Sequence, residues 1–350
     1  MTAVTVHASR NYDVLIGENL LENIGSYVLK VKNQCKIALI SDSNVWPIYG
    51  DAVKNSLVST GFDVISFVFP AGEASKNTDT YFKIVNFLAE HHITRSDALI
   101  ALGGGVVGDI TGFAAATFLR GISYIQVPTT LLSMVDSSVG GKTAVDLPAG
   151  KNLVGAFCQP GLVLCDCSAL NSLPDAYFKD GCAEVIKYGV LFDPELFAHL
   201  EKNGLSFDRN YIISRCVALK RDVVEADEFD TGMRQKLNLG HSVGHAVESL
   251  SNFSITHGNG VAIGMSVIAK ASAAQKICDC ELYHQLVSVL EIFQLPTKTD
   301  FDINAIVSHM LSDKKRSGNY LNLIVPQEIG VCTIQKVSVS ELKEFIESGL

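Results

Sequence analysis

The first half of the chain alternates apolar runs with helical periodicity. Residues 36–41 are mostly apolar and end in Asp42-Ser43-Asn44, the pattern of a buried strand followed by a polar loop. Helical spacing of apolar positions follows over 52–59. A second run spans 64–69, and residues 70–76 break it with proline and glycine ahead of a helical pattern at 81–91. Residues 98–102 form a third run. Gly103, Gly104, Gly105 and Gly108 follow at once, and a small-residue helical pattern covers 110–118. A fourth run at 122–127 carries Pro128-Thr129-Thr130 at its end. This rhythm predicts a mainly parallel sheet covered by helices. After a last run at 162–165 the pattern changes. Helical periodicity dominates from about Pro174 onward, apart from a hairpin signal at 320–325 and 330–334.

These elements predict an α/β N-terminal domain with a Rossmann-like parallel sheet, residues 1–165, followed by a mainly α-helical C-terminal domain, residues 166–350. A cleft between two such halves is the default place for a small-molecule site. Gly103, Gly105 and Gly108 fit the spacing G-x-G-x-x-G at a strand-to-helix turn. Free N–H groups and the helix dipole face an anion there, so a dinucleotide pyrophosphate is the natural guest. No acidic residue follows about 20 positions on, as the common fingerprint has it, and a tight turn packing helix on strand explains the same glycines. Three strands end in polar loops, carrying Asp42 and Asn44, Glu73 and Lys76, and Gly104, Gly105 and Asp109. Loops after parallel strands share one edge, so these groups should converge, with Asp42 or Glu73 able to hold ribose hydroxyls. Ordinary helix capping is the other reading of the same residues. Further on, Asp136, Lys142, Lys151 and Asn152 stand among glycines, which suits a phosphorylated, hydroxylated ligand.

Composition narrows the partners. The chain has 350 residues, 47% of them hydrophobic and 19% charged, with a formal net charge of −9. An acidic protein is not a general nucleic-acid binder, and it must meet an anionic ligand with a local basic cluster. No apolar run is long enough to span a bilayer, so no membrane partner is expected. Nine cysteines without a secretion signal point to reduced thiols and a cytoplasmic location. The pairs Cys165/Cys167 and Cys278/Cys280 match no structural zinc spacing.

The helical half carries a different chemistry. Glu184 and Lys187 share one helix face. His241 and His245 lie one turn apart, and His257 follows in a loop flanked by Gly258 and Gly260. One carboxylate with two or three imidazoles is a set for a divalent metal, and an open position suits catalytic zinc. Ser242 stands where the glutamate of H-E-x-x-H would be, which argues against a metalloprotease. Arg234, Asn238 and His241 recur at helical spacing and are expected to share a face. Lys220, Lys314 and Lys315 add further cations.

The stretches LGGGVVGD, VPTTLLSMVDSSVGGKTAVD, GKN, AEVIK and LNLGHSVGHAVE stand in this order, followed by His257-Gly258. In them, and nearly end to end, the chain resembles the 3-dehydroquinate synthases of the sugar phosphate cyclase superfamily. The resemblance implies an N-terminal NAD-binding domain, a C-terminal helical domain that binds metal and substrate, and a homodimer. It implies zinc, or cobalt, on Glu184, His241 and His257, which leaves His245 to handle a proton on the substrate side. NAD contacts fall by the same likeness on Asp42, Asn44, Glu73, Lys76, Gly104, Gly105, Asp109, Thr129, Thr130, Leu132, Lys142 and Lys151, with Ala169 and Ser172 matched by position. Substrate contacts fall on Asp136, Lys142, Lys151, Asn152, Lys187, Lys220, Arg234, Asn238 and His245, with Lys314 and Lys315. Of these, Lys142, Lys187, Arg234, Asn238 and His245 form the catalytic set. Arg120 resembles an arginine that reaches the substrate phosphate of the neighbouring subunit.

The activity so implied converts 3-deoxy-D-arabino-heptulosonate 7-phosphate to 3-dehydroquinate and phosphate. A ring hydroxyl at C5 is oxidised, phosphate is eliminated, the ketone is reduced, the ring opens and an intramolecular aldol closes the carbocycle. NAD is regenerated, and the substrate's own phosphate can serve as base in the elimination. The family usually reads His-Gly-Glu-Ala at the second zinc histidine, whereas this chain has His257-Gly258-Asn259-Gly260. A carboxylate that orients a zinc ligand is therefore expected to be missing, at a cost of about 10-fold or more in metal affinity. Other sugar phosphate cyclases share the glycine loop and the metal set, but Lys142, Lys220 and Arg234 favour a carboxylated substrate. A metal-dependent polyol dehydrogenase has little use for so many phosphate-seeking cations.

Overall fold

In a computed structural model, which describes residues 1–312, 316–317 and 319–350, the chain divides into two compact units. One comprises Met1–Pro174 with Arg209–Phe229, the other Asp175–Asp208 with Asp230–Leu350. Lys314 and Lys315 lie outside the described residues.

Along the first unit run β1 (Thr2–Val6), β2 (Tyr12–Gly17), α1 (Ile24–Val31), β3 (Lys36–Asp42), α2 (Asp51–Ser59), β4 (Asp63–Phe69), α3 (Thr78–Glu90), β5 (Ala98–Gly103), α4 (Gly105–Thr117) and β6 (Ser123–Pro128). Next come β7 (Lys142–Leu147), β8 (Gly150–Phe157) and β9 (Val163–Asp166). The chain then enters the second unit with α5 (Asp175–Phe192) and α6 (Pro194–Asn203). It returns through α7 (Arg209–Ala226), which packs on β1 and β2. The helix carrying Lys220 thus groups with the strands of the first unit.

Seven strands form one sheet in the order β1-β2-β9-β6-β5-β3-β4, parallel at every joint except β1 with β2. Strand β5 is buried along its whole length, which is why 98–102 reads as a continuous apolar run and not as an alternation. Ile84 and Leu88 of α3 and Ile110, Phe113 and Ala114 of α4 pack with Ala38, Ile40, Leu99 and Ala101 of the sheet in one core cluster. Burial of each Ile, Leu or Phe there is worth roughly 1.5–3 kcal/mol. Residues 142–157, after β6, form an antiparallel hairpin, with Lys142 opposite Phe157 and Val145 opposite Val154. Gly155 makes that pairing, since a Cβ there would collide with the Thr143 carbonyl.

The second unit continues with α8 (His241–Leu250), α9 (His257–Ala274), α10 (Cys280–Ile292) and α11 (Ile303–Ser312). The sheet of β10 (Arg316–Ser317), β11 (Tyr320–Glu328) and β12 (Val331–Ser338) follows, then α12 (Val339–Glu347). Helices α5 and α9 are buried over most of their length, so they form the centre of this unit. Helices α8 and α9 cross backbone against backbone. A Cβ on Gly240 would meet the Val261 carbonyl at 2.6 Å, one on Gly244 would meet Gly260 at 2.8 Å, and one on Gly264 would collide with Gly240. The glycines beside the histidines thus serve the crossing that brings two helices' imidazoles together. No helix among the described residues is long and apolar enough to cross a membrane.

Candidate functional site

In the first unit, the parallel strands bring the expected nucleotide residues to one edge of the sheet. Asp42 and Asn44 follow β3, Glu73 and Lys76 follow β4, Gly104 and Gly105 follow β5, Thr129 and Thr130 follow β6, and Ala169 and Ser172 follow β9. Lys76 is buried, and its Nζ donates to Asp109 Oδ2 at 2.5 Å and to Asn152 Oδ1 at 2.6 Å. Burial disfavours this ammonium, but Asp109 and Glu73 outweigh burial and hold its pKa above the usual lysine value. Lys151 Nζ lies 3.3 Å from Glu73 Oε1, and Asn152 N–H donates to Asp146 Oδ1 at 2.7 Å. Lys76 thus joins the loop after β4 to Asp109 of the β5–α4 segment and to Asn152 of the hairpin, so two of the three loops meet, and Lys151 pairs with Glu73 beside them. Asp42 Oδ1 accepts the N–H groups of Asn44 and Val45 and so closes the loop after β3 as a local turn. Tyr49 Oη bonds Ser172 Oγ at 2.6 Å and donates to the Ala169 carbonyl, which orders the 169–172 segment.

The glycines of the β5–α4 turn divide by job. A Cβ on Gly103 would run into Val107 at 2.5 Å, and one on Gly108 into Gln126 at 2.5 Å. Both are explained by packing. Gly104 and Gly105 are looser, each with its nearest neighbour 3.2 Å from a built Cβ, on Thr130 and Ser137, and neither has a positive φ. Their lack of a side chain leaves the first N–H groups of α4 open to a close approach. Beside them Thr129 is buried, and its Oγ1 has no hydrogen-bond partner among the described residues. An orphaned hydroxyl at a strand's C-terminal end is the kind of group a bound molecule satisfies.

Cations and Asp136 stand near the hairpin and α7. Lys220, 5% exposed, donates to the carbonyl of Asp136 and, at 2.8 Å, to its Oδ1. Lys142 is exposed on β7. Arg120 is exposed and left-handed, with φ of 67°, in a turn pinned by the bond from Arg95 Nε to the Leu119 carbonyl. Leu132 is half-buried.

In the second unit three segments meet. Glu184, fully buried on α5, pairs through Oε2 with Lys187, as their spacing predicts. Its Oε1 lies 3.5 Å from His241 Nε2 and 3.2 Å from His257 Nε2. The far nitrogen of each imidazole is held from behind. His241 Nδ1 bonds the Leu239 carbonyl at 3.1 Å, and His257 Nδ1 bonds Glu248 Oε1 at 3.1 Å. That leaves both Nε2 atoms aimed at Glu184, the arrangement by which a metal-binding histidine is oriented. The three donor atoms lie within 4.8 Å of one another. A second group, His245, Glu248 and His257, also lies within that distance. The His245 ring stands beside the other two, its centroid 5.4 Å from that of His241 and 5.9 Å from that of His257. Burial alone would push His257 toward its neutral form. Hydrogen bonds to Glu184 and Glu248 outweigh it and raise the pKa to about 10. The two carboxylates thus favour positive charge at this point, which is the electrostatic requirement of a cation site.

Three expectations need correction. His257 is not in a loop; it is the first residue of α9, and Gly258 is glycine because a Cβ there would collide with the Asp180 carbonyl of α5. Arg234 and Asn238 do not share a helix face with His241. They lie on a short 3-10 turn, Met233–Asn238, and Gly240, with φ of 78°, breaks the chain before α8. Arg234 is nevertheless buried, at 2% exposure. Nor does Asn259 cost His257 its carboxylate, because Glu248 supplies one. Glu248, the last residue of LNLGHSVGHAVE, stands three residues after His245 on α8, a spacing that puts the two on one helix face.

The 3-dehydroquinate synthase N-terminal family model matches residues 66–180, and the C-terminal model matches 181–316. The 3-dehydroquinate synthase of Clostridium acetobutylicum is 44% identical over 96% of both chains, and that of Enterococcus faecalis is 41% identical over 98% of both. A 2-deoxy-scyllo-inosose synthase solved with carbaglucose-6-phosphate, NAD+ and Co2+ superposes with a TM-score of 0.89 at 27% identity, covering 100% of each chain. With both family models in sequence and near-full-length relatives above 40% identity, the chain belongs to the 3-dehydroquinate synthase family.

Proposed function

We infer that this chain is a lyase that converts 3-deoxy-D-arabino-heptulosonate 7-phosphate to 3-dehydroquinate and phosphate in the shikimate pathway, with NAD and a divalent ion, zinc or cobalt. The observation that carries the reading is the convergence of Glu184 Oε1 with the Nε2 atoms of His241 and His257, in a chain of this family. The residues present fit both groups. For the ion they offer one carboxylate and two oriented imidazoles, and for NAD the open turn at Gly104 and Gly105 with the orphaned hydroxyl of Thr129. Bound there, NAD would supply hydride transfer and the ion Lewis acidity.

The chain's own groups do the rest. The first unit, with Asp42, Asn44, Glu73, Lys76, Asp109, Thr129, Thr130, Leu132, Ala169 and Ser172, is assigned to the dinucleotide. Asp136, Lys142, Lys151, Asn152 and Lys220 of that unit, and Lys187, Arg234, Asn238 and His245 of the other, are assigned to the substrate. The ammonium and guanidinium groups neutralise its carboxylate and phosphate. His245 relays the C5 hydroxyl proton. Phosphate release and net NADH, followed together on the heptulosonate phosphate, test the reading. Phosphate should accumulate with no net NADH. NADH accumulating in step with product would mean a polyol dehydrogenase, and no release of phosphate would reject the assignment.

Gly105→Val tests the nucleotide edge. A valine there blocks the approach to the first N–H groups of α4, so the NAD dissociation constant should rise by about an order of magnitude or more, equivalent to roughly 1.4 kcal/mol. Unchanged NAD affinity in the folded variant would remove the turn from the binding site. We also assign the protein to the cytosol, as a homodimer. Nine free thiols support the first assignment, and the outward Arg120, like an arginine that reaches a neighbouring subunit's ligand, supports the second. Sedimentation of a monomer at micromolar concentration would reject the dimer.

A further inference from the structure

The N-cap of α9 is Thr256, a residue type that normally caps its own helix, yet Thr256 makes no side-chain cap bond to α9. The bond it would take is taken from another helix. Asp180 of α5 is buried, and its Oδ1 accepts the N–H of Asn259 at 2.9 Å, the third amide of α9 and one of the four that a helix start leaves unsatisfied. The hydroxyl of Thr256 turns to donate to the same Asp180 oxygen, and Asn259 Nδ2 donates to Thr256 Oγ1 at 2.9 Å, which closes a ring. Gly258 lets the two backbones meet at this point. The carboxylate also places negative charge at the positive end of the α9 dipole. Four residues after Asp180, on the same helix, stands Glu184. His257 is the first residue of the helix that Asp180 caps.

We propose that Asp180 is a positioning residue for the cation site: by capping α9 from the helix that carries Glu184, it fixes His257 Nε2 against Glu184 Oε1. This rests on the reading of Glu184, His241 and His257 as metal ligands. Fixing the start of α9 in trans determines one ligand's place relative to another across 73 residues of chain, so its loss should loosen the donor set as well as the helix.

The test is Co2+ binding by chelator competition, read with the visible absorption of the bound ion. Asp180→Ala should weaken Co2+ binding by about 10- to 100-fold, the range for groups that orient a ligand, and should shift the absorption. Asp180→Asn keeps an oxygen acceptor and should restore most of the affinity. The control is Asp193→Ala, which removes a buried cap from α6 in the same unit, where Asp193 Oδ1 accepts the Leu196 N–H at 3.1 Å. It should lower the melting temperature and leave Co2+ binding alone. Wild-type affinity in folded Asp180→Ala overturns the proposal, and so does an equal loss in Asp193→Ala. If Asp180→Ala does not fold, Thr256→Val removes only the hydroxyl and should weaken binding in the same sense, while unchanged binding and absorption overturn the proposal. A wild-type protein that takes up no Co2+ overturns the metal reading itself, an outcome distinct from the others.

Discussion

Glu184→Gln should lose divalent-ion binding and, separately, a large part of the fold's stability. The first loss follows from removing the one carboxylate on which His241 and His257 converge. Since disturbing groups that merely orient ligands costs about 10- to 100-fold, losing a ligand should cost at least about 100-fold in affinity. The second follows from Lys187. Its ammonium is 1% exposed and pairs with the Oε2 of Glu184, which is not exposed at all. Removing the carboxylate from a buried ion pair costs roughly 3–5 kcal/mol, reduced to the extent that Lys187 gives up its proton or is held by its other contacts. Urea unfolding in the presence of a chelator measures this second effect without the ion's own stabilisation. Adding Lys187→Met should then recover most of the stability and none of the metal binding, because an apolar side chain of similar length tolerates the pocket. Metal bound by Glu184→Gln with wild-type affinity would rule out Glu184 as a ligand.

Much of this was legible in the sequence, and the exceptions share a cause. The strands of the parallel sheet announce themselves as unbroken apolar runs because they are buried on both faces, and their polar ends identify the nucleotide edge. Glu184 with Lys187, and His241 with His245, were correct as pairs because each pair obeys the period of one helix. What failed was glycine. Glycines after His257 suggest a loop, but they stand in α9 because Asp180 and Gly244 press against it from other helices. Glycine and lysine around 140–151 obscured the β7–β8 hairpin for a similar reason, since Gly155 answers to a strand across the turn. The spacing of Arg234, Asn238 and His241 suggests one continuous helix because a break at Gly240 leaves their separations of four and three residues unchanged. Asp180 had no local signal at all, since its partners lie 76 and 79 residues away.

Arg234→Lys should impair substrate turnover by about 10- to 150-fold while NAD binding barely changes. Arg234 is among the largest fully buried side chains, in a protein whose formal net charge is −9. A buried guanidinium needs charge-accepting partners, and its planar fork suits a carboxylate or phosphate held by two bonds, which an ammonium cannot copy. One charge-assisted bond contributes roughly 1.5–3 kcal/mol, which sets the range of the expected loss. NAD affinity is the control, because the residues assigned to the dinucleotide belong to the other unit. Lys151→Ala is the informative companion. Lys151 is half-buried and paired with Glu73, so its removal takes a cation from the proposed substrate and also releases a carboxylate assigned to NAD. Its substrate effect should therefore come with a measurable change in NAD affinity, where that of Arg234→Lys should not. Phosphate release and NAD titration on both variants measure the two quantities side by side. Normal phosphate release in both would mean that neither cation touches the substrate.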